Sequence, residues 1–215
     1  MSVYTIDRRF TSTVERTPRV FEIAESFGLG LSSKEFVIYD QLPVEVRQGD
    51  VVYIEGQSGS GKSLLLRDLS AAMRAQGLKV ADLNEIELTD APVIEQVGRT
   101  TTEATNLLAL AGISDAWIYI RKPSELSDGQ RYRLKLARVL EAEADVWIAD
   151  EFGAVLDRAT AKVVAFNCQK LARRHGRTLM VATTHTDLGT ELGPDLRITK
   201  RFRERVEMET NRAAA

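Results

Sequence analysis

Apolar residues along this chain fall into short unbroken runs, each followed by a longer segment in which they recur every three or four positions. A strand covered by helices on both faces produces the first pattern and an amphipathic helix the second, so the alternation predicts a mainly parallel sheet between helices. Val51-Val52-Tyr53-Ile54 is one such run, and Leu64-Leu65-Leu66-Arg67-Asp68-Leu69 begins a helix, starting near Lys62, that Gly77 can stop. Residues 79–83 read as a short strand, and residues 101–111 as a helix with Leu107, Leu108 and Ala111 on one side before Gly112. A third apolar strand covers residues 145–150 and leads into a long helix over residues 159–175, ended by Gly176. Residues 178–183 form a fourth, and residues 196–202 are expected as a last edge strand. Upstream, residues 3–14 are polar and β-prone, while residues 20–27 and 36–46 both read as strands, the second ending at the turn Arg47-Gln48-Gly49-Asp50.

At 215 residues and 44% hydrophobic, the chain can bury one substantial core, so a single domain over residues 1–215 is expected, with room for a small lobe. The net charge of −2 gives no field that draws a polyanion, so nucleic acid is not an expected partner. The single cysteine, Cys168, rules out an internal disulfide, and beside Val163, Val164, Ala165 and Phe166 it reads as a buried helical thiol. No apolar stretch approaches the roughly 20 residues that span a bilayer. No membrane insertion is expected, and the predicted location is cytosolic. The tail Ala213-Ala214-Ala215 reads as loose.

The first candidate chemistry lies between the first apolar strand and its helix. Gly56-Gln57-Ser58-Gly59-Ser60-Gly61-Lys62-Ser63 spells G-x-x-x-x-G-K-S/T. Gly56, Gly59 and Gly61 lack a Cβ, so the loop can curl with its N–H groups aimed at the β- and γ-phosphates of a nucleotide. The helix that carries Leu64 in its first turn adds its positive end. Lys62 brings a mobile charge to the phosphate oxygens, and the Ser63 hydroxyl can ligate the Mg²⁺ that bridges them. Val146-Trp147-Ile148-Ala149-Asp150-Glu151 then places two carboxylates at the carboxyl end of a buried strand, where α/β sheets bind ligands. Asp150 can reach the Mg²⁺, and Glu151 can polarise a water for attack on the γ-phosphate. Between these motifs, Leu126-Ser127-Asp128-Gly129-Gln130 precedes a helix over residues 131–140. Ser127 is placed as its N-cap, which leaves free N–H groups for an anion.

With these motifs in this order the chain resembles the ABC-type ATPases, whose signature is L-S-G-G-Q, and the likeness runs from about residue 20 to residue 200. The resemblance implies an α/β P-loop NTPase fold of ABC type: a mainly parallel central sheet flanked by helices, an antiparallel β part at the N-terminus, and a small helical lobe over approximately residues 88–140. It implies Mg²⁺-dependent ATP hydrolysis in a head-to-tail homodimer that ATP binding assembles. Each signature then closes on the γ-phosphate held by the other subunit, so Ser127 and Gly129 would contact ATP in trans and Gln130 would line the interface. Asp150-Glu151-Phe152-Gly153-Ala154-Val155-Leu156-Asp157 is similar to the family's D-E-P-T-S-A-L-D run, which makes Asp157 the end of the loop coupling the two ATP sites. His185, in Thr183-Thr184-His185, matches the switch histidine that reaches the γ-phosphate and the attacking water. His175, before Gly176 at a helix end, reads instead as a surface residue that offsets the helix dipole.

Two positions depart from the family pattern. Asp128 replaces the first glycine of the signature and adds a carboxylate near polyanionic ATP, which predicts weaker or slower ATP-driven pairing. For the family's Mg²⁺-sensing glutamine the candidate is Gln96, in Pro92-Val93-Ile94-Glu95-Gln96, a segment that reads equally as the helical turn beyond that loop. Phe27 is chosen over Phe36 as the ring that stacks on adenine, although both also read as core residues.

The segment between Ser63 and Leu126 is compact beside transporter ATPases and offers little surface for docking membrane helices. There is no long coiled-coil insertion or basic arm of the kind expected for work on nucleic acid, and Arg131, Lys135 and Arg138 read as a solvated helix flank. Leu126-Ser127-Asp128-Gly129-Gln130-Arg131-Tyr132-Arg133, Ala149-Asp150-Glu151-Phe152 and Thr183-Thr184-His185-Thr186-Asp187 are similar to a group of soluble ABC-type ATPases, some of them fused to a predicted acetyltransferase domain. The chain ends where such a domain would begin, so a stand-alone member or a fragment is expected, with an unknown protein partner or a fused effector domain. The sequence therefore predicts a soluble ATPase that drives a conformational change in an unidentified partner. The alternatives are the ATP-binding subunit of a membrane transporter and a nucleotide-dependent interaction module with little turnover.

Overall fold

The computed structural model describes residues 2–202 and 204–212, which form two compact units, Val3–Val44 and residues 45 onward. The tail Ala213-Ala214-Ala215 lies outside the described residues.

In the first unit, β1 (Ser2–Ser12) and β2 (Lys34–Val46) pair in a two-stranded sheet. Phe10 stacks on Phe36 with ring centroids 5.4 Å apart, and Gln41 donates to Asp7. These contacts run in opposite directions along the two strands, so the pair is antiparallel. Between them, residues 18–26 form a helix, α1 (Pro18–Ser26), where the sequence pattern predicts a strand over residues 20–27. The start of the segment explains the correction. Thr17 accepts the Val20 N–H on its hydroxyl, and Pro18 presets φ at the first helical position, which decides a short apolar run that fits either period.

The second unit is built on β3 (Val51–Glu55), β4 (Val80–Asp82), β5 (Val146–Ala149), β6 (Thr178–Thr183), β7 (Leu196–Thr199) and β8 (Glu207–Thr210), in the spatial order β4-β5-β6-β3-β7-β8. Every pairing is parallel except β7 with β8. The helices are α2 (Lys62–Ala75), α3 (Thr101–Leu110), α4 (Ala116–Tyr119), α5 (Asp128–Glu141), α6 (Arg158–Arg174) and α7 (Gly189–Leu192). Side chains alternate across the sheet. Val51, Tyr53, Trp147, Leu179 and Val181 share one core with residues of α3, α5 and α6, and α2 lies against β3, β4 and β6. Cys168 is buried on α6, where burial pushes its thiol up to about 12.

The expected edge strand over residues 196–202 is also corrected. It ends at Thr199 and has neighbours on both sides, and the true edge is β8, whose Glu-Met-Glu-Thr sequence is exposed throughout. A polar edge carries no apolar run to detect, and the same polarity deters pairing with another chain.

β5, β6 and β3 are consecutive in space although far apart in sequence. Their carboxyl ends therefore deliver the acidic pair, the Thr183-Thr184-His185 segment and the glycine loop to one edge of the sheet.

Candidate nucleotide site

The glycine loop leaves β3 with backbone angles that side chains resist. Gly56 has φ +146°, and a Cβ placed on it would sit 1.9 Å from the Lys200 carbonyl oxygen, so only glycine fits. Gly59 (φ +73°) and Gly61 (φ +107°) are also left-handed, and α2 begins immediately afterwards at Lys62. The Gln57 carbonyl accepts from the Ser60 N–H at 3.3 Å and from Lys62 Nζ at 2.7 Å. Lys62 is only 7% exposed, and the Ser60 Oγ is buried with no partner among the described residues. Burial lowers the Lys62 pKa from its ordinary value, against the opposing pull of Asp150 and Glu151. A buried ammonium at the start of a helix is what an incoming polyanion would satisfy.

At the end of β5, Glu151 adopts φ +49°, and its N–H donates to Asp150 Oδ1 at 2.9 Å. Such a conformation costs a non-glycine residue about 1–2 kcal/mol and persists where surrounding bonds dictate it. Here they do. The Phe152 N–H donates to the Ala182 carbonyl at 2.8 Å, the Thr183 hydroxyl donates to the Phe152 carbonyl at 2.8 Å, and the Gly153 N–H donates to the Tyr132 hydroxyl at 3.1 Å.

These elements enclose a cavity of about 550 Å³, a volume ordinary for a small-molecule site. Ser58, Gly59, Gly61, Lys62, Ser63 and Leu64 line one side; Asp150 and Glu151 line another, together with Ala154, Ala182, Thr183 and Thr184. Ser63, Asp150 and the phosphates of a nucleotide form an all-oxygen donor set, which suits Mg²⁺.

His185 stands beside this lining rather than in it. Its N–H donates to the Thr183 hydroxyl at 3.1 Å, its carbonyl accepts from the buried Tyr53 hydroxyl, and its Nδ1 lies 2.5 Å from Arg158 Nη1. The signature residues are outside the lining as well. Ser127 caps α5 through a reciprocal pair: its Oγ accepts from the Gln130 N–H at 3.3 Å, and Gln130 Oε1 accepts from the Ser127 N–H at 2.9 Å. Gly129 packs on the loop after β5, where an added Cβ would lie 3.0 Å from the Val155 carbonyl oxygen. The exposed Asp128 pairs with Arg131 at 2.6 Å. Asp157 caps α6, accepting from the Thr160 N–H at 2.9 Å and its hydroxyl at 2.6 Å, and these bonds hold its carboxyl below the ordinary value.

Gln96 is not brought to the cavity. Its buried amide is spent on its own loop, accepting from the Thr89 N–H at 3.0 Å and donating to the Thr89 and Ala91 carbonyls. Phe27, at the C-terminal cap of α1, is 72% exposed, whereas Phe36 is engaged with Phe10. The sequence assigns no site role to the cavity-lining Thr183, Thr184 and Ala154, nor to the supporting Tyr53, Tyr132 and Arg158. Position at a strand's carboxyl end would have pointed to the two threonines; the others carry no local signal.

No protein-family profile matches the chain. It is 34% identical over 169 residues to the aliphatic sulfonates import ATP-binding protein SsuB 2 of Rhodococcus jostii, a match covering 70% of this chain and 67% of that protein. The methionine import ATP-binding protein MetN 1 of Oceanobacillus iheyensis is 28% identical over 197 residues, covering 75% of this chain but only 58% of that protein. The uncharacterized ABC transporter ATP-binding protein YbbA of Escherichia coli is 27% identical over 221 residues, covering 86% and 95%. The fold is similar to that of the ATP-binding cassette MJ0796, solved as a dimer in a post-hydrolysis state bound to ADP and Pi, with a TM-score of 0.66 at 19% identity over 84% of this chain and 94% of that one.

Proposed function

This chain belongs to the ABC-type ATPases, and from that premise we propose that it binds Mg-ATP in the cavity at the glycine loop and hydrolyses it when two copies pair head to tail. The observation that carries this reading is a separation. The glycine loop, the acidic pair and the end of β6 line one cavity, while Ser127 and Gly129 are absent from that lining. A second copy would bring its own Ser127 and Gly129 to the γ-phosphate.

In this reading the N–H groups of residues 56–63 other than Ser60, with Leu64 behind them, cradle the phosphates, and Lys62 exchanges the Gln57 carbonyl for phosphate oxygen. Ser63 and Asp150 would hold Mg²⁺, which neutralises charge on the phosphate oxygens. Glu151 orients and deprotonates the attacking water, and His185 donates to the γ-phosphate. Glu151→Gln is expected to trap an ATP-bound dimer in size-exclusion chromatography. If that variant stays monomeric with ATP at every protein concentration, the trans site is wrong. Phosphate release at the same background rate from wild type and Lys62→Ala would leave a nucleotide-dependent interaction module and remove the enzyme.

A second reading concerns what the dimer moves. The relatives named as import ATP-binding proteins favour a membrane-embedded partner over the soluble one that the compact lobe suggests. Among the described residues no helix is long and apolar enough to cross a membrane, so that partner would supply the span. Copurification with a membrane protein from detergent extracts supports the transporter subunit; recovery of the dimer alone from the soluble fraction supports the other.

A further inference from the structure

His185 is held at three points, and only one of them determines its chemistry. The Tyr53 hydroxyl and the Thr183 hydroxyl bind its backbone carbonyl and N–H, which fixes where the residue sits. Arg158 binds the ring itself, with Nη1 2.5 Å from Nδ1. A guanidinium has five N–H donors and no acceptor, so the imidazole nitrogen facing it must be the unprotonated one. The proton of the neutral ring is then on Nε2. That atom is buried and has no hydrogen-bond partner among the described residues.

We infer that Arg158 is a positioning residue that fixes His185 in the Nε2–H tautomer, so that the ring presents a donor to an anionic ligand. Which nitrogen of a histidine carries the proton is set by the bond the other nitrogen makes, and here that bond comes from a permanent cation. Arg158 is itself oriented by an ion pair with Asp187, two residues beyond His185, and by its place at the first position of α6, directly after the capping Asp157. The turn at the start of α6 therefore presents the guanidinium to the ring. Losing Arg158 would free both tautomers and leave the Asp187 carboxylate without its ion-pair partner.

The use of the Nε2 proton for a γ-phosphate oxygen rests on the proposed ATPase reading; the tautomer does not. The chain contains two histidines, so a long-range ¹H–¹⁵N spectrum of the imidazoles is assigned with one His175→Gln variant. The nucleotide-free protein is expected to show His185 as the Nε2–H tautomer. Arg158→Ala should give the averaged signals of exchanging tautomers, and Arg158→Lys should restore the single form. In steady-state hydrolysis Arg158→Ala should lower kcat at least tenfold, with KM for ATP changed less than threefold. An Nδ1–H tautomer in the wild type, or an Arg158→Ala spectrum identical to it, overturns the inference. Wild-type protein that shows the Nε2–H tautomer but releases no phosphate upholds the assignment and sinks the ATPase reading instead.

Discussion

The hydroxyl of Tyr132, on α5, accepts the backbone N–H of Gly153 at 3.1 Å, so the helix capped by Ser127 is bonded to the turn after Glu151. Burial pushes the Tyr132 phenol above its ordinary pKa, so it stays neutral there. Tyr132→Phe keeps the ring and strands the N–H. A buried donor left without a partner costs about 1–3 kcal/mol, so the unfolding free energy should fall by that amount, read as a lower urea midpoint at an unchanged m-value. A midpoint equal to wild type would show that the bond contributes nothing.

Gly56 and Gly49 share a left-handed φ and differ in their surroundings. Among the described residues nothing lies within 4 Å of a Cβ built on Gly49 (φ +88°), so Gly49→Ala should cost only the conformational penalty of about 1 kcal/mol. On Gly56 the added atom meets the Lys200 carbonyl at 1.9 Å, and Gly56→Ala must move either the glycine loop or the end of β7. We expect a loss of about 3 kcal/mol or more in thermal unfolding, together with loss of ATP binding by calorimetry. Equal losses for the two variants would contradict this.

Asp128 plays two opposed parts. As the first residue of α5 it carries negative charge at a helix N-terminus and pairs with Arg131, a combination worth about 0.5–1 kcal/mol. In the proposed dimer it also faces a polyanion. Asp128→Gly should therefore lower the melting temperature slightly while shifting the ATP-dependent dimer to lower protein concentrations by light scattering. A variant that is less stable and also dimerises less readily would deny the second part.

The carboxyl of Asp82 ends β4, beside the strand that leads into Asp150, and burial raises its pKa above the ordinary carboxylate value. Between that ordinary value and the raised one the folded state binds more protons than the unfolded state, so stability falls as pH rises through this window. Asp82→Asn can keep the bond to the Asn84 N–H, made at 2.9 Å in the wild type, and avoids the charge. It should be more stable than wild type at pH 7, with the difference closing below the ordinary carboxylate range, as read by denaturation at several pH values. A difference independent of pH would point to packing instead.

Much of this architecture was legible in the linear pattern. Val51-Val52-Tyr53-Ile54, residues 146–149 and residues 179–182 are apolar without interruption because both faces of those strands are buried, and no other element writes that signature so plainly. An apolar stretch of the length of α1 fits two periods, and the deciding bond is a single threonine hydroxyl. β8 leaves no mark in the linear pattern because an exposed edge strand has no apolar side to declare itself.

For the candidate site the division is sharper. The glycine loop, Ser127 and the acidic pair are each local in sequence, since a loop that wraps phosphates, a helix cap and a strand-end carboxylate need only their immediate neighbours. These pieces, and the family they resemble, are therefore legible from the chain order alone. Their meeting is not. It depends on β5, β6 and β3 lying side by side, on Phe152 and Thr183 bonding across two of those strand ends, and on Arg158 reaching His185 from a different helix. These are pairings between residues far apart in the chain. They are chosen by which buried faces and unsatisfied polar groups complement one another once the sheet has formed, and that complementarity exists only in three dimensions.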